Sequence, residues 1–450
     1  MIYLYHDINT TKKEECSMEI LSLGEKIKRR RKELNMTLKD LAKDRITPGQ
    51  ISLVESGRSN PSMDLLEYLA NSLNTTVEYL MESEESQAEK ICTYYEQVAE
   101  SYILSGDYVT GEKYIENALY YAERYNLEYR KARILFLRAE IYISKGELAV
   151  AQQFFLSSNV IFIKNNEYEE IVKTFLKLGK ITLELNAYHS ANSYLKQAEK
   201  VYLDNNIGND FLLGEIYYNM SRTYYIIEDL GKAMDYAFLA KEKFEQIHNK
   251  KEYAKTLLLL SEEYNRRGDL NNAIKYSTKT LEVYHEINDL KSVSDIENNL
   301  GKLFYNFENI EESFKHYEMA REIRTRNNDD SLIETLINIC KNYLKIKEID
   351  KCETQLEEIY HRLKDEDIDG IIECNLIKYR IHTIKDELSK AEDVLVNTYK
   401  LSKNAGKLRR AGELAIMVGK FYIDHKNDTQ AAKYLDEGVN IFKELGILQN

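Results

Sequence analysis

The sequence is short of the residues that interrupt or cross-link regular structure. Among its 450 residues there are two prolines, 18 glycines, five cysteines and no tryptophan. Proline breaks a helix because it lacks a backbone donor, so its scarcity favours long helices and few strands. A chain of this length exceeds what one compact core can hold, and we therefore expect at least two parts.

The five cysteines match no metal-ligand spacing and no disulfide framework. This usage is typical of a reducing compartment. Cys340 and Cys352 fall on small-residue positions of the repeat described below, and we expect both to be buried as small apolar side chains. The sequence predicts no metal site and no cofactor.

Long apolar runs are missing too. No run approaches the ~20 residues of a membrane helix. Residues 1–15 contain acidic residues where a signal peptide needs an apolar core. We therefore expect a cytoplasmic protein without membrane contact. Residues 1–20 show no clear period, and we expect them to be disordered or to be an extension before a natural start at Met18.

Motifs of catalysis are also missing. The sequence has no glycine-rich phosphate loop, no metal constellation and no nucleophile motif. Its histidines fall mostly on predicted helix surfaces or helix ends. We therefore predict that the protein is not an enzyme.

The charge is acidic overall but uneven along the chain. The formal net charge of −13 argues against a dedicated nucleic-acid binder. Residues 21–82, however, carry 10 Lys+Arg against 9 Asp+Glu, and the acidity lies mostly after them. An N-terminal module can therefore meet DNA although the remainder of the chain would not.

A pattern with a period close to 40 residues runs from about Glu89 to Leu445. Each copy is anchored on a small residue that opens its second helix, with another mostly small residue twelve positions earlier and a usually aromatic one nine positions earlier. Small residues at fixed helical offsets let two helices approach closely. The anchors are Gly111, Ala151, Ala191, Ala233, Ala273, Ser313, Cys352, Ala391 and Ala431.

This pattern resembles the tetratricopeptide repeat in about nine copies. The period of that family is 34, so the extra residues here should lengthen the helices and the links between repeats. The resemblance implies a right-handed α-solenoid with a concave inner surface lined by the first helix of each repeat. We therefore predict an all-α protein whose residues 89–450 form a ligand-binding and dimerisation array.

The predicted inner surface carries a basic row and several asparagines. The row lies eleven residues before each anchor, and in an acidic protein it indicates either solvated helix faces or a groove for an anionic or carboxylate-bearing ligand. Asparagine offers both a donor and an acceptor, which matches one peptide unit. The candidate peptide-binding residues are Lys180, Tyr218, Asn219, Arg222, Tyr225, Leu258, Glu262, Asn298, Asn299, Lys302, Tyr305, Asn338, Lys341 and Arg380.

Residues 21–82 predict five short helices. A basic first helix runs from about Leu23 to Leu34, and the others cover residues 38–43, 48–55, 63–73 and 77–81. The third should begin with a capping box, in which Thr47 is the cap, Pro48 the first helical residue and Gln50 the returning side chain. Residues 83–88 are polar, and we expect them to form a linker.

The five-helix segment resembles a helix-turn-helix domain of the Cro/C1 type, which is a lambda-repressor-like fold. The resemblance implies that the third helix enters the major groove, and that Arg31 and Glu55 form a buried ion pair. Hydrogen-bonding readers are few on this helix, so part of the specificity would come from DNA shape. The candidate DNA-binding residues are Lys28, Arg29, Thr37, Lys39, Thr47, Pro48, Gly49, Gln50, Ser52, Leu53, Arg58 and Asn60.

The whole layout resembles the RRNPP family of regulators, in particular its neutral-protease regulator branch. The resemblance implies a transcription factor that works as a homodimer or higher homo-oligomer on double-stranded DNA, including its own promoter region. A short signalling peptide would bind the array and change DNA binding, which is a form of quorum sensing. The alternative is a protein-interaction scaffold, or a sequestering factor that binds a signalling protein through the array.

Overall fold

The computed structural model describes residues 19–364 and 366–447, and the predicted extension therefore lies almost entirely outside the described residues. Over these ranges the chain forms 23 α-helices and no strand, which confirms the predicted all-α class. The chain divides into two compact units, one up to Thr223 and one from Tyr224. None of the helices in the described ranges is long and apolar enough to cross a membrane.

The first five helices form a small head with its own core. Their bounds agree with the predicted ones to within about one residue, because short-range capping signals fix them. Ile27, Leu41, Ile51, Leu69 and Leu80 are fully buried at its centre. The helices are α1 (Leu23–Glu33), α2 (Leu38–Ala42), α3 (Pro48–Glu55), α4 (Met63–Ser72) and α5 (Val77–Met81).

Helices α1 and α3 are joined by a close approach and an ion pair. A Cβ atom on Gly24 would lie 2.5 Å from the backbone oxygens of Val54 and Glu55, so only glycine fits there. Arg31 donates from Nε to Glu55 Oε1 at 2.6 Å and from Nη2 to Glu55 Oε2 at 2.9 Å. Its Nη1 also donates to the carbonyl of Met36 at 2.8 Å. The ion pair expected from the resemblance is thus present.

The segment predicted as a linker is mostly helical. Helix α6 spans Glu84–Leu104, and Ser83 caps it by accepting a hydrogen bond from the backbone N–H of Ser86 at 3.1 Å. Glu84 and Glu85 occupy the first turn, where negative charge is stabilised by the helix dipole. The polar composition of residues 83–88 is therefore the composition of a helix start and not of a loop.

The remaining helices follow one another as antiparallel pairs. Most have 17 residues, and α18 and α19 have 14. They are α7 (Tyr108–Arg124), α8 (Glu128–Ser144), α9 (Leu148–Lys164), α10 (Tyr168–Glu184), α11 (Tyr188–Asp204), α12 (Asp210–Ile226), α13 (Leu230–Gln246), α14 (Lys250–Arg266), α15 (Leu270–Glu286), α16 (Leu290–Asn306), α17 (Ile310–Arg326), α18 (Leu332–Lys345), α19 (Ile349–Arg362), α20 (Ile368–Ile384), α21 (Leu388–Asn404), α22 (Leu408–Asp424) and α23 (Asp428–Glu444).

Turns of three residues connect most of these helices, both within and between repeats. The middle residue of each such turn has a positive φ, for example 53° at Asn126 and 76° at Gly146. Asparagine and glycine adopt this conformation most readily. The helices therefore account for almost all of the 40-residue period. The prediction of longer links was wrong except before α12 and α18, where five residues intervene.

The two helices of a repeat approach most closely at the small residue twelve positions before the anchor. A Cβ atom on Gly179 would lie 2.7 Å from the side chain of Leu195, and one on Gly301 would overlap the ring of Tyr317. Leu195 and Tyr317 both lie four positions after the anchor of their repeat. The large side chain on the second helix therefore fits only because the first helix has no side chain there.

The fifth repeat solves the same contact with two small residues. Ser261 donates from Oγ to the carbonyl of Ala273 at 2.7 Å, and its Oγ lies 2.7 Å from Ser277 Oγ. In the seventh repeat Cys340 and Cys352 are both fully buried at this contact, as predicted. The sizes of the two facing residues thus compensate each other from repeat to repeat.

One buried carboxyl group in the second unit lacks a polar partner. Glu263 on α14 is 0% exposed, and neither of its carboxylate oxygens has a hydrogen-bond partner. Burial raises the pKa of Glu263 to about 7, because removing the carboxylate from water disfavours its charged form. Charging this group therefore costs stability to the unit that contains it.

We predict that Gly301→Ala destabilises the second unit by about 1–3 kcal/mol, because the new methyl group collides with the buried Tyr317 ring. Urea unfolding of the full chain measures this. The double variant Gly301→Ala/Tyr317→Leu should lose less stability than the sum of its single variants, since the smaller side chain leaves room for the methyl group. Strictly additive losses would contradict the contact.

We predict that Glu263→Gln increases the free energy of unfolding at pH 8 and has little effect near pH 5. The pKa of Glu263 is raised on folding, so its contribution to stability is lost as pH rises toward its folded value of about 7. The expected gain at pH 8 is up to about 3 kcal/mol. Glu282→Gln, at an exposed position of α15, is the matched control. An equal effect of Glu263→Gln at both pH values would refute the assignment.

Candidate DNA-binding helix and repeat groove

Helix α3 begins with the predicted capping box. The hydroxyl of Thr47 accepts from the backbone N–H of Gln50 at 3.2 Å, and Gln50 Oε1 accepts from the backbone N–H of Thr47 at 3.1 Å. Pro48 occupies the first helical position. Because these bonds satisfy the free donors of the first turn, the start of α3 is held in one conformation.

One face of α3 is buried and the other is exposed. Ile51 and Val54 pack into the head core. The candidate base-contacting residues lie together on the exposed face, and Leu53 keeps 44% of its surface exposed. These exposed residues are Thr47, Pro48, Gly49, Gln50, Ser52 and Leu53.

The candidate phosphate-contacting residues have different surroundings. Lys28, Lys39 and Arg58 are exposed and make no salt bridge within residues 19–364 and 366–447. Arg29, in contrast, pairs with Glu33 at 3.3 Å and with Glu19 at 3.5 Å. The first three cations are therefore available to a polyanion, whereas Arg29 must exchange its partners.

Two further candidates fell on helix caps and loops. The hydroxyl of Thr37 donates to Asp40 at 2.7 Å and caps α2, while Asn60 is exposed after α3. Sequence reasoning missed Lys43 and Arg45, which are exposed in the turn before α3 and make no salt bridge over the described part of the head. Arg45 also stacks on the ring of Tyr68 at 5.5 Å.

The head is clamped to the first helix of the array. The side-chain amide of Gln87 accepts from the backbone N–H of Leu21 at 3.1 Å and donates to the carbonyl of Leu21 at 2.9 Å. Lys26 is buried, and its Nζ donates to the carbonyls of Tyr79 at 3.0 Å and Glu82 at 2.7 Å. Burial lowers the pKa of Lys26, as expected for a desolvated ammonium group. Sequence reasoning missed this clamp, because it joins residues that are 53 to 66 positions apart.

In the first unit, the candidate groove residues lie on α10 and α12. Lys180 forms a salt bridge with Glu215 at 2.9 Å. Asn219 is buried, and its Nδ2 donates to the carbonyl of Glu215 at 2.8 Å. Arg222 lies over the ring of Tyr218 at 6.0 Å. Among these residues, Arg222 alone is classed as exposed.

The first unit also contains a charged cavity of about 480 Å³ that sequence reasoning missed. Arg133 lies at its centre and pairs with Glu96 at 3.0 Å and with Glu170 at 3.2 Å. Arg130 pairs with the other oxygen of Glu96 at 3.2 Å. The cations and carboxylates that line the cavity compensate each other, so it has no preference for one sign of charge.

In the second unit, the structure gathers seven candidate residues around two cavities. One cavity, of about 350 Å³, is lined by Tyr305, Lys341 and Arg380 together with Tyr379 and Lys345. The other, of about 120 Å³, lies between α14, α15 and α16. Its candidate residues are Leu258, Glu262, Asn299 and Lys302.

Three other candidates of this unit are engaged within the chain. Asn298 and Asn338 are 2% and 7% exposed, and Asn338 Nδ2 donates to Asn298 Oδ1 at 3.3 Å. The guanidinium of Arg266 covers the ring of Tyr225 at 4.5 Å. Asn299 is thus the asparagine of the candidate set that faces a cavity in this unit.

The basic row is partly neutralised by acidic residues of the following repeat. Lys302 pairs with Glu334 at 2.6 Å, and Lys341 pairs with Glu373 at 3.0 Å. Each glutamate lies 18 residues before the anchor of its own repeat, which the sequence shows once the pairing is known. Arg380 is exposed and makes no salt bridge over the described ranges. The described residues also contain no group of three potential metal ligands.

Comparison with known proteins agrees with the two-part organisation. Residues 27–80 match the HTH_3 family, described as helix-turn-helix. The transcriptional activator NprA of Geobacillus stearothermophilus is 23% identical over 234 residues, which are 52% of this chain and 57% of that protein. The chain therefore spans little more than half the length of this curated relative.

Two solved structures share the fold of most of the chain. The apo form of RapI has a TM-score of 0.58 at 13% identity, and covers 79% of this chain and 98% of its own. The apo form of the quorum sensor NprR from B. thuringiensis has a TM-score of 0.56 at 12% identity, and covers 79% and 99%. With the helix-turn-helix match, they confirm the resemblance to the RRNPP regulators in domain content and order.

Proposed function

We propose that this chain, which has the domain architecture of the RRNPP regulators, is a cytoplasmic, non-enzymatic transcriptional regulator controlled by a short signalling peptide. The observation that carries the proposal is the exposed face of α3, which is flanked by cations without salt bridges in the described head. The relative NprA is named as a transcriptional activator, and NprR is named as a quorum sensor. Both names support the proposal for this chain.

The head binds double-stranded DNA. Lys28, Lys39 and Arg58 contact phosphates, and such contacts give affinity without sequence information. Helix α3 lies in the major groove, with its exposed face toward the base edges. A homodimer presents two such heads to half-sites about 34 Å apart or at a multiple of that distance.

The array binds the peptide, and the second unit supplies the principal contacts. Asn299 offers a donor and an acceptor to a backbone unit. Leu258 and Tyr305 supply apolar surface, and Arg380 supplies a cation without a salt bridge for a carboxylate. Lys302 and Lys341 contribute after exchanging their glutamate partners. The first-unit candidates Lys180, Tyr218, Asn219 and Arg222 belong to the same proposal.

The clamp transmits movements of α6 to the head. Because Gln87 and Lys26 join the head to the start of α6 through backbone carbonyls, a rotation of α6 carries the head with it. A peptide changes DNA binding only by its difference in affinity for two arrangements of the array. The role of the clamp is to prevent a loose linker from absorbing that difference.

We predict that the full chain binds duplex DNA from immediately upstream of its own gene more tightly than a scrambled duplex of equal length. Titrations at several salt concentrations should give a steep salt dependence. Lys39→Ala should weaken binding to both duplexes by the same factor and reduce the salt slope by about 0.9, since one phosphate contact is lost. Lys275→Ala, at an exposed position of α15, is the control and should change neither quantity.

The same titration decides between the two candidate functions. Equal binding to both duplexes would leave phosphate attraction alone and contradict a sequence-reading factor at this promoter. No binding at low salt would contradict the DNA proposal for the free protein. In that case the charged cavity and the groove favour the scaffold function, in which the array binds a signalling protein that co-purifies with the chain.

We predict that peptides enriched by the full chain from a random pool of short synthetic peptides bind in the groove of the second unit. Asn299→Ala and Arg380→Ala should each weaken binding about 10-fold, because each removes polar contacts worth about 1–2 kcal/mol. Lys275→Ala is again the control, and calorimetry measures the affinities. Unchanged affinity in both variants would contradict this location of the site, and failure to enrich any peptide would contradict peptide binding.

A further inference from the structure

The exposed face of α3 offers few groups that can distinguish bases. Its positions are Gly49, Gln50, Ser52, Leu53 and Ser56, and none of them is charged. Gly49 has no side chain. The arginine and lysine contacts with guanine that most often give specificity are therefore unavailable from this helix.

The polar groups of this face are also largely engaged. Gln50 Oε1 accepts from the backbone N–H of Thr47 in the capping box, whereas bidentate recognition of adenine needs both the oxygen and the nitrogen of the amide. The hydroxyl of Ser56 donates to the carbonyl of Leu53 at 3.1 Å. Ser52 remains, but a hydroxyl both donates and accepts and prefers no one base.

We propose that Leu53 determines base preference on this helix through the 5-methyl group of thymine. Thymine is the base that presents a methyl group in the major groove, and Leu53 is the exposed apolar side chain on this part of α3. Contact between the two removes apolar surface of both from water. The inference rests on the proposed DNA-binding function and specifies which chemical feature of the duplex the head recognises.

The charges around Leu53 fit a polyanion better than an apolar protein partner. Lys39, Lys43 and Arg45 precede α3 in the chain, and Arg58 follows it. All four are exposed and make no salt bridge within the described head. An apolar side chain between positive groups matches a thymine methyl group between two phosphate backbones.

Replacing thymine by deoxyuridine tests the proposal, because deoxyuridine lacks the 5-methyl group and retains the hydrogen-bonding groups of thymine. Duplexes are first enriched by the full chain from a pool with a random centre. Each thymine of an enriched duplex is then replaced singly by deoxyuridine. Binding should weaken about four-fold at the one or two positions that Leu53 contacts, the effect expected for one buried methyl group.

Substitutions at Leu53 assign the effect to this side chain. Leu53→Ala should bind the thymine and deoxyuridine duplexes equally, whereas Leu53→Met should keep the difference because its side chain remains apolar and long. Lys39→Ala should weaken binding to both duplexes by one common factor. Thermal unfolding of Leu53→Ala checks that the head remains folded, as the exposed position leads us to expect.

Each other outcome overturns the proposal in a distinct way. If no position of the wild-type duplex responds to deoxyuridine, the methyl group is not recognised, although DNA binding itself stands. If Leu53→Ala keeps the full response, another residue recognises the methyl group. If the chain enriches no duplex, the DNA-binding function fails and this inference fails with it.

Discussion

Close packing between the two helices of each repeat is the constraint on which the array depends. The helices can approach at one fixed pair of positions only if the sizes of the two residues there compensate. Gly301 accommodates Tyr317, Gly179 accommodates Leu195, and Ser261 faces the small Ser277. Once this contact fixes the pair, two 17-residue helices and their short turns repeat in phase, and every other row of side chains takes its direction from it.

The rows that lie toward the candidate groove show how packing modifies the chemistry that a sequence suggests. A basic row in an acidic protein indicates an anion-binding surface, yet Lys302 and Lys341 are paired with glutamates of the following repeat. Such partly exposed ion pairs contribute little to stability and are readily exchanged. The unpaired Arg380 and the open Asn299 are consequently the groups of that row and its neighbour that a ligand meets without first displacing a partner.

The junction between head and array has the same logic at a larger scale. A polar segment after a small domain suggests a flexible linker, but Ser83 starts a helix there and Gln87 binds back to the backbone of Leu21. The buried ammonium group of Lys26 then ties the end of α5 to the same place. This junction can transmit a rotation of α6 to the recognition helix, which a flexible chain of equal length could not do.

The sequence by itself determined the features that depend on neighbouring residues. Helix bounds in the head, the capping box of Thr47 and Gln50, the three-residue turns and the anchor positions all follow from spacings of a few residues or from an exact repeat. The ion pair of Arg31 and Glu55 was accessible because a resemblance supplied the missing spatial information. The domain order was accessible for the same reason.

The tertiary structure alone decided which of the candidate side chains are free. Asn298 and Asn338 share the asparagine signal of Asn299, but they face each other between helices and are buried. Glu263 lies next to the exposed Glu262 in the sequence and is nevertheless enclosed without a partner. Gly24 is required by a backbone 30 residues away. These outcomes depend on contacts between residues distant in the chain, and a local pattern contains no information about what approaches from elsewhere.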